Sequence, residues 1–554
     1  METQSNVDIK TIHYRYLVCI EMATSRLEER VSWVEKVKRS VIKINAVERA
    51  YNWHEPYKLG EDTGVCGSGF FVSQMDLFGH VRFKNKRVVL TNSHVVEGSP
   101  TKQVRLMFPG TGKSYLDAQV AYLCESVDFA ILIIDPNAQT HWFETECTAK
   151  EFLKSRDDLE FEEQSMRGNG EECIAIGYPH DSEDSVATVG CIACRSDNMF
   201  QLAMSINDGN SGGAICFNGK VIGIATSTLA EAEGISYGVP IKQVASFVKN
   251  WLGDLPIGSL LIPPCFGVGI RPATKAFFES INSTASGALV QSIQPTSSFE
   301  RAGLKEGDVL TGISTTLKGS HYHFPVDSHG LVNVPWSLAK VDLWNLDLVL
   351  FCDKKNTKIH FLTKSKTKKR KRTHTYKAVV KKCPIVITRK NVPTLVPYWD
   401  NIEHTLFGGM VLMNLCKNHA TRYRGDGGSG PSDPRFLFKL LETNGDEQMV
   451  AVSHVYPQSV ISDTETVGDL TILTSINGVD ISTLAEANTL LRKAVKGIAK
   501  QPFIHFASDE HDDIVLDLRE LAHQEHMFLT SIPHHPKNTL LNLEDSKKRK
   551  KRRR

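Results

Sequence analysis

No run in this sequence approaches the roughly 20 apolar residues that a membrane-crossing helix requires. The first apolar stretch, Tyr16 to Met22, is interrupted by Glu21 and preceded by Glu2 and Asp8, so it does not read as a secretory leader. The expectation is a chain made and kept inside a cell, or in a compartment reached without a cleaved signal, and without a membrane. Net charge is also scarce: +2 over 554 residues gives no overall field for nucleic acid or lipid. Cysteine is thin and dispersed, twelve residues from Cys19 to Cys416 with no dense cluster, which fits a reduced compartment. Cys191 and Cys194 form a lone C-x-x-C with no second pair or nearby His, so neither a metal nor an organic cofactor is expected.

What is present points to several soluble domains. Apolar residues make up 41% and charged residues 23%, and the length exceeds what one core supports, so three or four domains are expected. Residues 17–44 place Leu17, Leu27, Val31, Val34, Val37 and Val41 at helical spacing, predicting an amphipathic helix in an N-terminal segment 1–59. From 60 to 252 short β-rich runs alternate with glycine and polar turns, as in Arg87–Thr91, Phe129–Ile134 and Lys220–Ala225, which predicts an antiparallel barrel or sandwich. The charged stretch Lys150–Glu172 reads as an insertion outside that core. After Pro256 and the Pro263-Pro264 pair, a new unit is expected at 265–363. The basic run 364–372, KSKTKKRKR, reads as an exposed connection to a further unit at 373–525 with a polar insert, Arg424–Asp433. The tail 526–554 ends in KKRKKRRR, which cannot fold by itself.

Three segments carry chemistry. Gly209-Asn210-Ser211-Gly212-Gly213 sets a serine in a turn where missing β-carbons let the backbone aim N–H groups into one small space. The backbone N–H groups of Gly209 and Ser211 are the candidate donors to a developing oxyanion. His94 follows the strand ending at Leu90, and Asp128 opens the strand Phe129–Ile134. A hydroxyl nucleophile needs a base to take its proton and a carboxylate to orient that base, and these residues supply both.

GSGFFV at 67–72, TNSHVV at 91–96, DFAILII at 128–134, IGYP at 176–179 and DGNSGGAI at 208–215 together resemble the serial motifs of the Deg or HtrA family of serine proteases. SVIKI at 40–44 and YNWHEPY at 51–57 resemble the start of the protease domain in eukaryotic, plant-type Deg proteases. The resemblance implies His94 as general base, Asp128 as its orienting partner and Ser211 as nucleophile of an ATP-independent endopeptidase. Two departures stand out: Ser93 where the family usually has alanine, and Ala214 where it often has proline. Gln201–Asn207 and Ala225–Tyr237 are expected to line the specificity pocket, favouring a small or medium apolar side chain before the scissile bond.

SSFERAGLKEGDVLTGI, residues 297–313, resembles a PDZ segment, and residues 450–494 look like a degenerate second PDZ domain suited to assembly. The implied fold is mainly β: a chymotrypsin-like double β-barrel followed by two PDZ-like α+β domains. The expected partners are protein or peptide substrates and copies of this chain, in trimers or multiples of trimers. The basic tail predicts an import receptor and a nuclear location, with cytoplasm as the alternative. The basic runs lack interleaved aromatics, so nucleic acid is not expected. The rival reading from another class is a PDZ scaffold or chaperone built on a weakly active or inactive protease fold.

Overall fold

A computed structural model of the chain describes residues 28–541, apart from 110, 112–113, 140, 144–146, 163–168, 197, 227–233, 338, 365–375, 388–391, 422–447, 470, 512 and 532–539. The tail 547–554, the insert 424–433 and most of the basic run 364–372 lie outside the described residues. So does the first part of the segment 1–59.

Residues 28–38 are helical, but the helix stops there, and Val41, expected on its apolar stripe, opens a strand instead. The cause is in the sequence: Val41, Ile42, Ile44 and Ala46 are buried in a largely alternating, β-branched pattern that fits a pleated surface better than a helix. The first barrel therefore starts near residue 41, not 60. The first barrel contains β1 (Val41–Tyr51), β2 (Leu59–Val72), β3 (Arg87–Thr91), β4 (Gln103–Met107), β5 (Leu116–Cys124) and β6 (Phe129–Ile134). They run in the order β5-β4-β1-β2-β3-β6, with β6 pairing back onto β5. The second is a closed barrel of β7 (Glu172–Gly177), β8 (Val186–Ser196), β9 (Met199–Ala203), β10 (Ala214–Phe217), β11 (Lys220–Thr226) and β12 (Ile235–Pro240). This is the expected chymotrypsin-like pair.

Strand β6 shows why the barrels stay together. All six of its residues are buried, with Ala130, Leu132 and Ile134 inside the first barrel and Phe129, Ile131 and Ile133 in the junction shared with the second. A strand covered on both faces reads as a continuous apolar run, and each fully buried large side chain contributes about 1.5–3 kcal/mol. The helix Ile241–Trp251 closes the junction, its Phe247 ring 6.0 Å from Phe129.

Beyond β13 (Ser259–Leu260), which runs parallel to β5, come β14 (Val268–Arg271), β15 (Ala288–Ile293), β16 (Val309–Leu317), β17 (Ser320–Pro325), β18 (Lys358–Lys364) and β19 (Tyr376–Lys382). The sequence pattern assigns β19 to the next unit, yet it pairs with β18 from Lys358↔Lys382 to Lys364↔Tyr376, and Cys383 and Ile385 complete the same core. The basic run thus connects two strands of one sheet rather than separating two domains. The last unit holds β20 (His404–Phe407), β21 (Met410–Asn414), β22 (Val450–Val455), β23 (Ile472–Ile476), β24 (Val479–Asp480), β25 (Phe503–Ser508) and β26 (Ile514–Asp517), with the helix Leu484–Gly497 and a C-terminal helix Leu518–Ser531.

This last unit grips the first barrel. The β1–β2 ribbon projects Tyr51, Trp53 and Tyr57 toward Tyr398, His419 and His404, with ring centroids 6.5, 5.7 and 5.9 Å apart. Tyr398 Oη donates to Arg49 O at 3.0 Å, Trp399 Nε1 donates to Glu97 O at 3.1 Å, and Val396 and Trp399 pack onto the first barrel's core. No helix among the described residues is long and apolar enough to cross a membrane.

Candidate active site

Strand register brings base and carboxylate together. Thr91 at the end of β3 pairs with Ala130 of β6, so the residues after one strand and before the other leave the barrel at the same end. There His94 Nδ1 lies 2.9 Å from Asp128 Oδ1 and 3.0 Å from Oδ2. Asp128 itself holds a left-handed backbone conformation, φ 56°, at the cap of a single helical turn. Its Oδ1 also accepts from Ser93 N at 3.1 Å, Ser93 Oγ at 2.9 Å and His94 N at 3.3 Å, and its Oδ2 accepts from Thr226 Oγ1 at 2.6 Å. Burial would raise the Asp128 carboxyl, but the His94, Thr226 and Ser93 hydrogen bonds outweigh it and hold it below the ordinary range. His94 is the mirror case. Burial disfavours its charge, while the hydrogen bond and charge of Asp128, with a contribution from Glu97, carry the net shift upward.

Glu97, one turn beyond the base, is a carboxyl that sequence reasoning missed. Burial and the neighbouring charges of Glu125 and Asp128 push it up to about 7. Nothing local in the sequence distinguishes it from a surface glutamate.

The Ser211 loop comes from the second barrel and is pinned by the first. Ser68, fully buried, donates its hydroxyl to Gly209 O at 2.6 Å and accepts from Tyr178 N at 2.9 Å, while its own N–H donates to Ser211 O at 2.8 Å. Thr91 Oγ1 donates to Ser68 O at 2.7 Å, tying the His94 strand to the same point. Gly212 has φ +87°, and a β-carbon there would meet Ser68 O at 2.1 Å, so the position demands glycine.

The two candidate oxyanion donors are aimed by their own peptide planes. In a trans peptide the N–H points away from the C=O. Asp208 O is held by His180 N at 2.7 Å and Asn210 O by Gly213 N at 2.9 Å. The N–H groups of Gly209 and Ser211 therefore face the other way, and neither donates to an acceptor among the described residues. The loop carrying His180 is anchored by Lys43 of β1, whose Nζ donates to Asp181 O at 2.8 Å and Ser182 O at 3.2 Å and pairs with Asp181 Oδ1 at 2.7 Å. Ser211 Oγ has no hydrogen-bond partner among the described residues, so the His94–Ser211 contact is not formed here; such contacts commonly tighten only around a substrate.

Of the expected pocket walls, Gln201–Asn207 is described, with Leu202, Met204 and Ile206 buried, whereas 227–233 lies outside the described residues. The two departures from the family pattern are accommodated. Ser93 adds a hydroxyl donor to Asp128, and Ala214 opens β10 opposite Ile176 and Ile224.

Comparison with known proteins agrees with this geometry. The family model for a trypsin-like peptidase domain matches residues 67–224, and that for a PDZ domain matches 397–533. A DegP-like periplasmic serine endoprotease of Rhizobium meliloti is 29% identical over 290 residues, 50% of each chain. The serine protease HhoA of Synechocystis is 28% identical over 271 residues, 45% of this chain and 60% of its own. Protease Do-like 13 of Arabidopsis thaliana is 27% identical over 227 residues, 39% of this chain and 40% of its own. The chain thus spans 60% or less of the length of these relatives. A solved HtrA-type protease, AlgW with decapeptide, aligns over 64% of this chain and 98% of its own at 18% identity, with a TM-score of 0.42. The chain joins a trypsin-like peptidase domain to a PDZ domain, and its named relatives are serine proteases of the Deg/HtrA type.

Proposed function

We propose that the chain is a serine endopeptidase that hydrolyses proteins through an acyl-enzyme. The observation that carries this reading is the His94–Asp128 pair beside a loop whose Gly209 and Ser211 amides are directed away from the protein's own acceptors. Ser211 Oγ attacks the scissile carbonyl as His94 Nε2 takes its proton. The oxyanion collects the two amide donors, and His94 returns the proton to the leaving amine. Water then repeats the sequence on the ester. Asp128 keeps Nδ1 protonated and stabilises the imidazolium.

The preferred residue before the scissile bond is small or medium and apolar, in keeping with the buried Leu202, Met204 and Ile206 in the described wall. The PDZ domain at 397–533 serves assembly into trimers or their multiples, and the run 547–554 directs the chain to the nucleus through an import receptor. A fluorescent fusion with and without 547–554 tests the last point, and sedimentation of the intact chain tests the oligomer. For the chemistry, a fluorophosphonate should label the wild type and not Ser211→Ala. A folded wild type that never labels, with or without protein substrate, returns the chain to the scaffold reading.

A further inference from the structure

Two histidines and an aspartate separated by 400 residues of sequence converge where the barrel meets the PDZ domain. His54 follows β1 in the ribbon turn, His454 lies on β22, and Asp469 precedes β23. One ligand atom from each falls within 4.8 Å of the others. We propose that His54, His454 and Asp469 form a binding site for a divalent transition-metal ion of the zinc type, which fastens the PDZ domain to the protease ribbon.

The geometry suits that ion. Asp469 Oδ2 stands 3.5 Å from His54 Nδ1 and 3.4 Å from His454 Nδ1. Metal–ligand bonds of about 2.0–2.1 Å in a tetrahedron require ligand atoms roughly 3.3 Å apart, close to the two Asp469–imidazole separations, and His54 Nδ1 turns away from Ser453 O to reach the shared centre. Two imidazoles and one carboxylate are a donor set for zinc and its neighbours, not for calcium or magnesium, which prefer oxygen alone. The three side chains are 22–34% exposed, enough for a water to complete the shell.

The outer contacts orient the donors. Asp469 Oδ1 is held by Val455 N at 2.8 Å, leaving Oδ2 turned to the imidazoles. The β21–β22 register shifts at this point, Val411 facing His454 and Leu412 facing Val452, so Ser453 is the extra residue of a bulge. That bulge directs Ser453 to the ribbon, where its hydroxyl donates to His54 O at 3.2 Å. His54 Nδ1 lies 2.8 Å from Ser453 O and donates its proton there. A metal ion takes that proton's place, so binding releases a proton and weakens in acid.

The test is a titration of the untagged full-length Ser211→Ala chain with zinc chloride against a chromophoric chelator. One ion per chain should bind. His54→Gln, His454→Gln and Asp469→Asn should each weaken binding tenfold or more, while Cys191→Ser with Cys194→Ser should leave it unchanged. Cobalt(II) should give the intense visible bands of a four-coordinate site, absent in His54→Gln. Should His454→Gln fail to fold, His54→Gln decides, because it replaces a part-exposed residue in a turn. Zinc affinity within twofold of the parent in His54→Gln overturns the proposal, as does a folded parent that takes up no stoichiometric zinc; the cluster is then a simple hydrogen-bonded contact.

Discussion

Ser68→Ala removes one oxygen and disables two buried partners. The hydroxyl is wholly inaccessible and sits between Tyr178 N–H, from which it accepts, and Gly209 C=O, to which it donates. Each group stranded without a partner costs about 1–3 kcal/mol, so the pair together should cost about 2–6 kcal/mol. For a domain of this size that lowers the midpoint of thermal unfolding by roughly 4–24 °C. The kinetic effect should appear in kcat more than KM, since Gly209 carries one of the two candidate oxyanion donors. Ser93→Ala is the internal control. Its hydroxyl is equally buried, but Asp128 Oδ1 keeps Ser93 N, His94 N and His94 Nδ1 as donors, so about 1 kcal/mol or less should be lost. Calorimetry and peptide hydrolysis on the two variants decide the matter. A Ser68→Ala protein that unfolds with the wild type, or that loses no more than Ser93→Ala, would refute the bridging role given to this serine.

The acid limb of kcat/KM should be centred above 6.5, the ordinary imidazole value, because acylation needs neutral His94 and Asp128 favours the charged form despite burial; a limb centred below 6.5 contradicts the assignment. Glu97→Gln removes a negative charge near the base, so that limb should shift to lower pH. The folded Glu97 carboxyl titrates at about 7, above its unfolded value, so its relative stability is present in acid and fades as pH rises through 7. The substitution should therefore reduce the loss of thermal stability between pH 5 and pH 8, and an unchanged difference argues against the burial of this carboxyl. Lys43→Met releases the loop that holds Asp208 O through His180 N, and should weaken a peptide boronate tenfold or more while substrate KM changes little; equal losses in both would point to general damage.

The two barrels, and the strand ends and loop that carry His94, Asp128 and Ser211, were legible because they rest on local signals. A glycine-rich turn, an apolar run covered on both faces and an aspartate at its mouth each leave a mark a few residues long. Thr226 and Ser68 were present inside those motifs, yet their roles depend on contacts between barrels, which no spacing encodes. The two boundary errors share one cause. At Val41 a β-branched run continues the helical spacing, and at 364–372 a run of charge resembles a break although the strands on both sides pair. His54, His454 and Asp469 were invisible as a group, since nothing along the chain links a ribbon turn to a strand 400 residues away.

The aromatic ribbon has a consequence for anyone who would shorten this protein. Tyr51, Trp53 and Tyr57 are half-covered, with rings of the C-terminal domain against them, and Val396 and Trp399 pack onto the barrel's core. A chain cut before residue 392 would leave a sticky shelf of rings beside an unfilled notch, inviting aggregation. The peptidase half is thus not a free-standing unit with an accessory attached; it borrows part of its wall from the C-terminal domain.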